Sequence, residues 1–186
     1  MPDRHGRGAF YTPADVATSL VAVTVERGPV VDPACGAGVF LLAAGIRLAG
    51  RGANPRDVAT AQLFGTDTDP VAVHLTRCAL AGWAGVEPSE VVGVVEADPL
   101  VAGRSSWPTA PGVGFGAVVG NPPFLGQLRA GTAFDDDRRR ELRERFPDLV
   151  GAYTDVAWLF LALGADLLSP GGRMSLIQPQ SLLSAR

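Results

Sequence analysis

"VVDPACGAGVFLL", residues 30–42, passes from a β-branched apolar pair through one carboxylate and a small-residue turn into a long apolar run. It reads as a strand joined to a helix. Gly36 and Gly38 let the backbone pass close to a ligand, and the amides at the helix start are free to meet polar groups on it. Working outward, the same alternation repeats. Candidate strands are "PVVDPA" near 29–34, "AQLFGTD" at 61–67, "EVVGVVEAD" at 90–98, "GAVVGN" at 116–121 and "GRMSLIQ" at 172–178. Thr12, Pro13 and Asp15 read as an N-cap, a proline at the first helical position and an acidic third residue, which launch a helix through about Val25. Residues 39–49, 70–82, 136–146 and 154–168 read as further helices, each bounded by Gly or Pro. The stretch 101–116, rich in Pro, Gly and Ser, reads as a loop, and the mixed charges of 135–146 as a solvated helix face.

Strands that alternate with helices predict an α/β fold: a doubly wound, mostly parallel, Rossmann-like sheet with helices on both faces. Four of the five candidate strands end in Asp or Asn, at the edge where open α/β sheets bind ligands. Composition narrows the function. With 186 residues and 47% hydrophobic content the chain fits one globular domain. The longest apolar run, Val156 to Ala165, is far short of the roughly 20 residues a membrane span needs. The N-terminus carries charge with no apolar stretch after it, so the cytoplasm is the expected location. Cys35 and Cys78 fit neither a disulfide framework nor a zinc pattern; both are expected as thiols, with no metal. All 16 basic residues are arginine, yet the net charge is −3, so the total shows no strong footprint for nucleic acid.

The strand ends suggest a ligand. Asp67, at the end of "FGTDTDP", is placed to accept both hydroxyls of a ribose. Asp98, in "VVEADPL", lies one strand further out, placed to accept from an adenine amino group. Gly38 is followed by Val39, Phe40 and Leu41 rather than a third glycine, so a pyrophosphate fits less well than an adenosine ligand without phosphates, such as S-adenosylmethionine. "NPPF", residues 121–124, ends the next strand. The lone pair of an adenine exocyclic amine is delocalised into the ring; hydrogen bonds to the Asn121 side-chain oxygen and the Pro122 carbonyl favour a more tetrahedral nitrogen. Prolines lock their own φ and push Asn121 to extended geometry, which holds these acceptors ready. Phe124 is suited to stack on a base flipped out of its duplex.

Together "FYTP" at 10–13, "DPACGAGVFL" at 32–41, "GTDTDP" at 65–70, "ADPL" at 97–100 and "NPPF" at 121–124 resemble the N6-adenine DNA methyltransferases, in the gamma arrangement of restriction-modification enzymes. The resemblance covers nearly the whole chain. It implies that Thr12, Pro13, Asp32, Ala34, Cys35, Gly36 and Gly38 surround the methionine portion of S-adenosylmethionine, that Asp67 holds its ribose and Asp98 its adenine. Asn121, Pro122, Pro123 and Phe124 form the catalytic loop by the same likeness, and "YTDVAWLF" and "GGRMSLIQP" match the family's fourth helix and fifth strand. The implied substrate is double-stranded DNA with a flipped adenine.

Members of that family continue with two more strands, completing a seven-stranded sheet, and with a target-recognition domain. Here the chain stops at "SLLSAR", so the expectation is a single methyltransferase domain over 1–186 that is incomplete at its C-terminus. Residues 1–27 would form the N-terminal cofactor-binding helix region and 28–186 the sheet core, with a partner chain supplying target recognition. Two other functions compete. One is methylation of a protein glutamine or an RNA guanine, whose enzymes carry similar loops; "FYTP" and "DPAC" favour DNA. The other is a non-catalytic module that binds S-adenosylmethionine. His74 reads as structural, His5 as part of a mobile end, Trp83, Trp107 and Trp158 as packing groups, and Cys35, at a helix start, as a thiol whose pKa is open to lowering.

Overall fold

The computed structural model describes residues 12–124, 136–147, 149, 156–180 and 182. Phe10 and Tyr11 of "FYTP", the start of "YTDVAWLF" and most of "SLLSAR" lie outside these. Five strands form one sheet: β1 (Val30–Asp32), β2 (Leu63–Asp67), β3 (Val94–Glu96), β4 (Phe115–Gly120) and β5 (Leu168–Leu176), in the order β3-β2-β1-β4-β5. All four pairings are parallel, with Val31 beside Phe64 on one side and Val118 on the other. The order reverses between β1 and β4, so the chain leaves their carboxyl ends in opposite directions and opens a crevice there.

Alternation across the pleat builds two cores. Val30, Leu63, Ala117 and Val119 face helices α1 (Ala14–Thr24), α2 (Val39–Gly50), α3 (Pro55–Ala61) and α4 (Pro70–Ala84). Val31, Phe64, Phe115 and Val118 face α5 (Pro99–Ala102), α6 (Asp136–Arg145) and α7 (Val156–Leu167). Three helices start alike: Asn54, Asp69 and Asp98 each cap the amide two residues on, and a proline follows. The proline has no N–H to leave unpaired at that first position, and its fixed φ suits the helix.

The structure departs from expectation at several points. The N-cap of α1 is Pro13, with no side-chain cap, so Thr12 does not cap the helix and its hydroxyl is released for another bond. α3 lies in a segment that the sequence pattern left between elements. The expected loop over 101–116 opens with the end of α5 and a 3-10 turn over Gly103–Ser106. Asp98 lies two residues beyond β3 rather than at its last position. Trp158 is 43% exposed and so is not a packing residue, whereas Trp107 is buried and donates from Nε1 to the Gly65 carbonyl at 3.1 Å. Among the described residues, no helix is long and apolar enough to cross a membrane.

Candidate active site

The glycine turn after β1 is held by bonds from every side. Gly36 at φ +52° and Gly38 at φ +83° take the left-handed turn that turns the chain into α2. Cys35 N donates to the Thr66 carbonyl at 2.8 Å, and Gly38 N to the Cys35 carbonyl at 2.8 Å. Thr66 Oγ1 donates to Pro33 O at 2.9 Å, and Thr76 Oγ1, on α4, donates to Gly36 O at 2.7 Å. A Cβ on Gly38 would lie 2.8 Å from Thr76 Cγ2, so the small residue is required by the approach of α4 as well as by φ. Thr66 and Thr76 were missed in the sequence. Thr76 did carry a signal: it is a polar residue on the inward stripe that Val73 and Leu80 also occupy.

Asp67 closes the turn from β2. Its Oδ2 accepts from Gly36 N and its Oδ1 from Asp69 N, both at 2.9 Å. An ionised carboxylate offers about four lone-pair sites, so each oxygen retains acceptor capacity for a ligand hydroxyl. Asp98 is likewise engaged: Oδ1 accepts from Leu100 N at 3.1 Å, and Oδ2 pairs with Arg138 Nε of α6 at 2.8 Å. Nothing in the charged run singled out Arg138.

Asp32, at the end of β1, is buried. Its Oδ1 accepts from Ala34 N at 3.0 Å, and Oδ2 is buried with no hydrogen-bond partner among the described residues. Burial above all, with the Asp67 charge adding and the Ala34 amide opposing, raises its pKa to about 7. β4 crosses against it: a Cβ on Gly120 would lie 2.5 Å from Asp32 Oδ1. Cys35 is corrected. Its thiol pKa is raised well above the usual value, by burial first and then by the Asp32 and Asp67 charges, so proximity to a helix start does not activate it.

Asn121 follows β4 directly. Its Nδ2 donates to Thr12 Oγ1 at 3.1 Å, across 109 residues, and its Oδ1 is buried with no hydrogen-bond partner among the described residues. Pro122 is buried, and Pro123 and Phe124 are half-buried. Hydrogen bonds thus join Gly36 to Asp67 and Thr12 to Asn121, while Asp32 packs against the residue before Asn121. Asp98 is tied outward, to α5 and α6. Orphaned acceptors, a left-handed glycine turn and carboxylates at the sheet's carboxyl edge form a cradle suited to a cationic ligand with hydroxyl and amine donors.

The model of the family described as N-6 DNA Methylase matches residues 3–186. The chain belongs to this family. The expected membership therefore holds. Among relatives, the methylase subunit of the type I restriction enzyme MjaIX, from Methanocaldococcus jannaschii, is 26% identical over 181 residues, which is 96% of this chain and 30% of that protein. The type II methyltransferase M.XamI of Xanthomonas campestris pv. amaranthicola is 30% identical over 123 residues, 63% of this chain and 20% of its own length. The chain thus spans less than a third of either relative. A structure described as a class I S-adenosylmethionine-dependent methyltransferase, from Listeria monocytogenes, superposes with a TM-score of 0.63 at 16% identity, over 100% of this chain and 50% of that one. The doubly wound parallel sheet expected from the sequence is this fold.

Proposed function

We propose that this family member carries the cofactor cradle and the catalytic loop of a methyltransferase acting on the N6 amine of adenine in double-stranded DNA. The observation that carries the reading is Asn121. With Nδ2 spent on Thr12, its buried Oδ1 is an acceptor that lacks a donor among the described residues, and leaving such an acceptor unpaired costs about 1–3 kcal/mol. An exocyclic amine supplies the donor. Hydrogen bonding to Asn121 Oδ1 and to the Pro122 carbonyl draws that nitrogen toward tetrahedral geometry and turns its lone pair out of conjugation. Phe124 stacks on the base, which must leave the helix to reach this depth.

When bound, S-adenosylmethionine would supply the methyl group, its sulfonium leaving as a neutral thioether, and the methylated amine would lose its proton to solvent. The chain's own residues fit that donor. Asp32 Oδ2 and the Asp67 carboxylate provide negative charge for a molecule bearing ammonium and sulfonium groups. Asp67 would accept from the ribose hydroxyls, Asp98 from the adenine amine, and Thr12, Pro13, Ala34, Cys35, Gly36 and Gly38 would border the methionine portion. The relatives are the methylase subunit of a type I restriction enzyme and a type II methyltransferase, and a partner chain or further sequence that reads the target site belongs to this reading.

Two measurements test it. Calorimetric titration with S-adenosylmethionine is expected to show saturable binding that Asp67→Ala abolishes. Single-turnover transfer of labelled methyl to adenine-containing duplex, with any target-reading chain added, is expected to fall about 10²- to 10³-fold in Asn121→Ala, the usual effect of removing one preorganised transition-state partner. Transfer that survives this change would defeat the reading.

A further inference from the structure

We infer that Gln178 grips the ring of the target base, donating from its side-chain amide to the ring nitrogen beside the reacting amine. The inference rests on the methyltransferase reading of Asn121 and extends it to the next strand. β1, β4 and β5 are neighbours in the sheet, and the chain carries a buried polar group without a hydrogen-bond partner among the described residues where it leaves each of them. These are Asp32 Oδ2 at β1, Asn121 Oδ1 after β4, and both Oε1 and Nε2 of Gln178 after β5. They form a row along the carboxyl edge.

Register places Gln178 in that row. β5 runs parallel to β4 with Leu176 beside Gly120, and Ile177 N donates to Gly120 O at 3.0 Å. Leu176 packs on one core and Ile177 on the other, so the end of the strand is held from both faces. Continued at the same register, Gln178 leaves β5 alongside Pro122, whose carbonyl flanks the reacting amine, and adjacent strands lie only about 4.8 Å apart. The order of the row matches the order of the groups in the reaction: the cationic donor at Asp32, the amine at Asn121, and the ring beyond it toward β5. Once Asn121 Oδ1 and the Pro122 carbonyl take the two hydrogens of the adenine amine, the adjacent ring nitrogen N1 is still an acceptor without a donor. With neither end of its amide tied, Gln178 is free to turn Nε2 toward it. Burying an amide with both ends unpaired is unfavourable in the free chain, and a ligand that pairs it recovers that cost.

The test compares the whole chain with its Gln178→Met variant, with any target-reading chain added, on duplexes carrying adenine or 1-deazaadenine, in which a C–H replaces N1. Methionine keeps the length and removes both polar ends. Single-turnover transfer to adenine at limiting DNA should be about fivefold slower in the variant, the factor that a net hydrogen bond of about 1 kcal/mol gives. On 1-deazaadenine the two proteins should transfer at the same rate, because the partner atom is gone. Equal rates on adenine, or a deficit that persists on 1-deazaadenine, would overturn the inference. S-adenosylmethionine should bind the variant within about twofold of wild type by calorimetry; a loss of affinity matching the loss of transfer would make Gln178 a cofactor ligand instead. Urea unfolding without ligand supplies a check independent of turnover: the variant's midpoint should rise, since an unpaired buried amide has been removed, and a fall would show that the amide is paired within the chain. Absence of transfer by wild type would defeat the methyltransferase reading and this inference with it, whereas transfer that depends on Asn121 but not on Gln178 would defeat the inference alone.

Discussion

Asp32 shows how one buried atom couples folding to pH. Its pKa lies near 7 against an ordinary 3.8, raised by burial, so the folded chain binds its proton more tightly than the unfolded chain does. The sign follows: the contribution is fully present below about pH 4 and is lost as pH rises through 7. Roughly three units at about 1.4 kcal/mol each put the effect on the order of 4 kcal/mol. Urea unfolding of wild type and Asp32→Asn at pH 5.5, 6.5, 7.5 and 8.5 should show wild type losing stability relative to the variant up to about pH 7.5, with the difference level beyond it. A pH-independent difference between them would contradict the assignment. Gly38 gives a second residue-scale prediction. At φ +83°, with Thr76 Cγ2 where its Cβ would go, Gly38→Ala combines backbone strain with overpacking and should lower stability by about 2–4 kcal/mol in the same measurement. Gly36→Ala, at φ +52° with open space around the added carbon, should cost less, about 1–2 kcal/mol.

Elements were legible where local chemistry and burial agree. β1, β2 and β4 read directly from apolar runs because strands covered on both faces leave no polar alternation to confuse them, whereas the edge strands β3 and β5 are partly exposed and β5 begins at Leu168, four residues before its expected start. Helices α1, α2, α4, α6 and α7 came from apolar or charged spacing with Gly or Pro at their ends. The seven-residue α3 did not, although Asn54-Pro55 begins it as Asp69-Pro70 begins α4, because so short a helix has almost no periodicity to read. The strand-end carboxylates and Asn121 stood out as polar stops after apolar runs. Their partners did not: Thr12 meets Asn121, and Arg138 meets Asp98, only through the tertiary fold. α6 shows why its charges misled. Beside the solvated arginines, Leu142 is 1% exposed in the core with Leu100 and Trp107, and Arg145 Nη1 donates to Val101 O at 3.2 Å. Leu142→Ala should therefore destabilise by about 2–5 kcal/mol. Arg138→Ala should cost less than about 1 kcal/mol and lose its effect in high salt, since the Asp98 pair is partly exposed. Hydrogen exchange along α6 in the two variants checks this ranking, and equal effects would refute it.

At the scale of the whole molecule, one three-stranded centre serves both cores and the site. β1 gives Val30 to one core, Val31 to the other and Asp32 to the crevice; β4 gives Val118 to the second core and Val119 to the first, and the chain leaves it through Gly120 to Asn121. Packing on either face therefore sets the position of the same polar ends, and the chain is expected to unfold in one transition. A ligand that binds only the folded cradle adds to that transition as a whole, by about 2.7 kcal/mol at a concentration 100 times its Kd. Its size should depend on pH in the direction opposite to the intrinsic stability. Ionised Asp32 is the form that suits a cationic donor, so S-adenosylmethionine at fixed concentration should stabilise the chain more at pH 8 than at pH 6, while the free chain is less stable at pH 8. Binding moves the proton off Asp32, and the linked release is measurable by calorimetry in buffers of different ionisation enthalpy. At pH 6 the expectation is close to one proton released per cofactor bound, falling toward none at pH 8, and Asp32→Asn should abolish the difference. Equal stabilisation at both pH values, with no proton released at pH 6, would mean that Asp32 stays protonated beside the bound cofactor and contributes no charge to holding it.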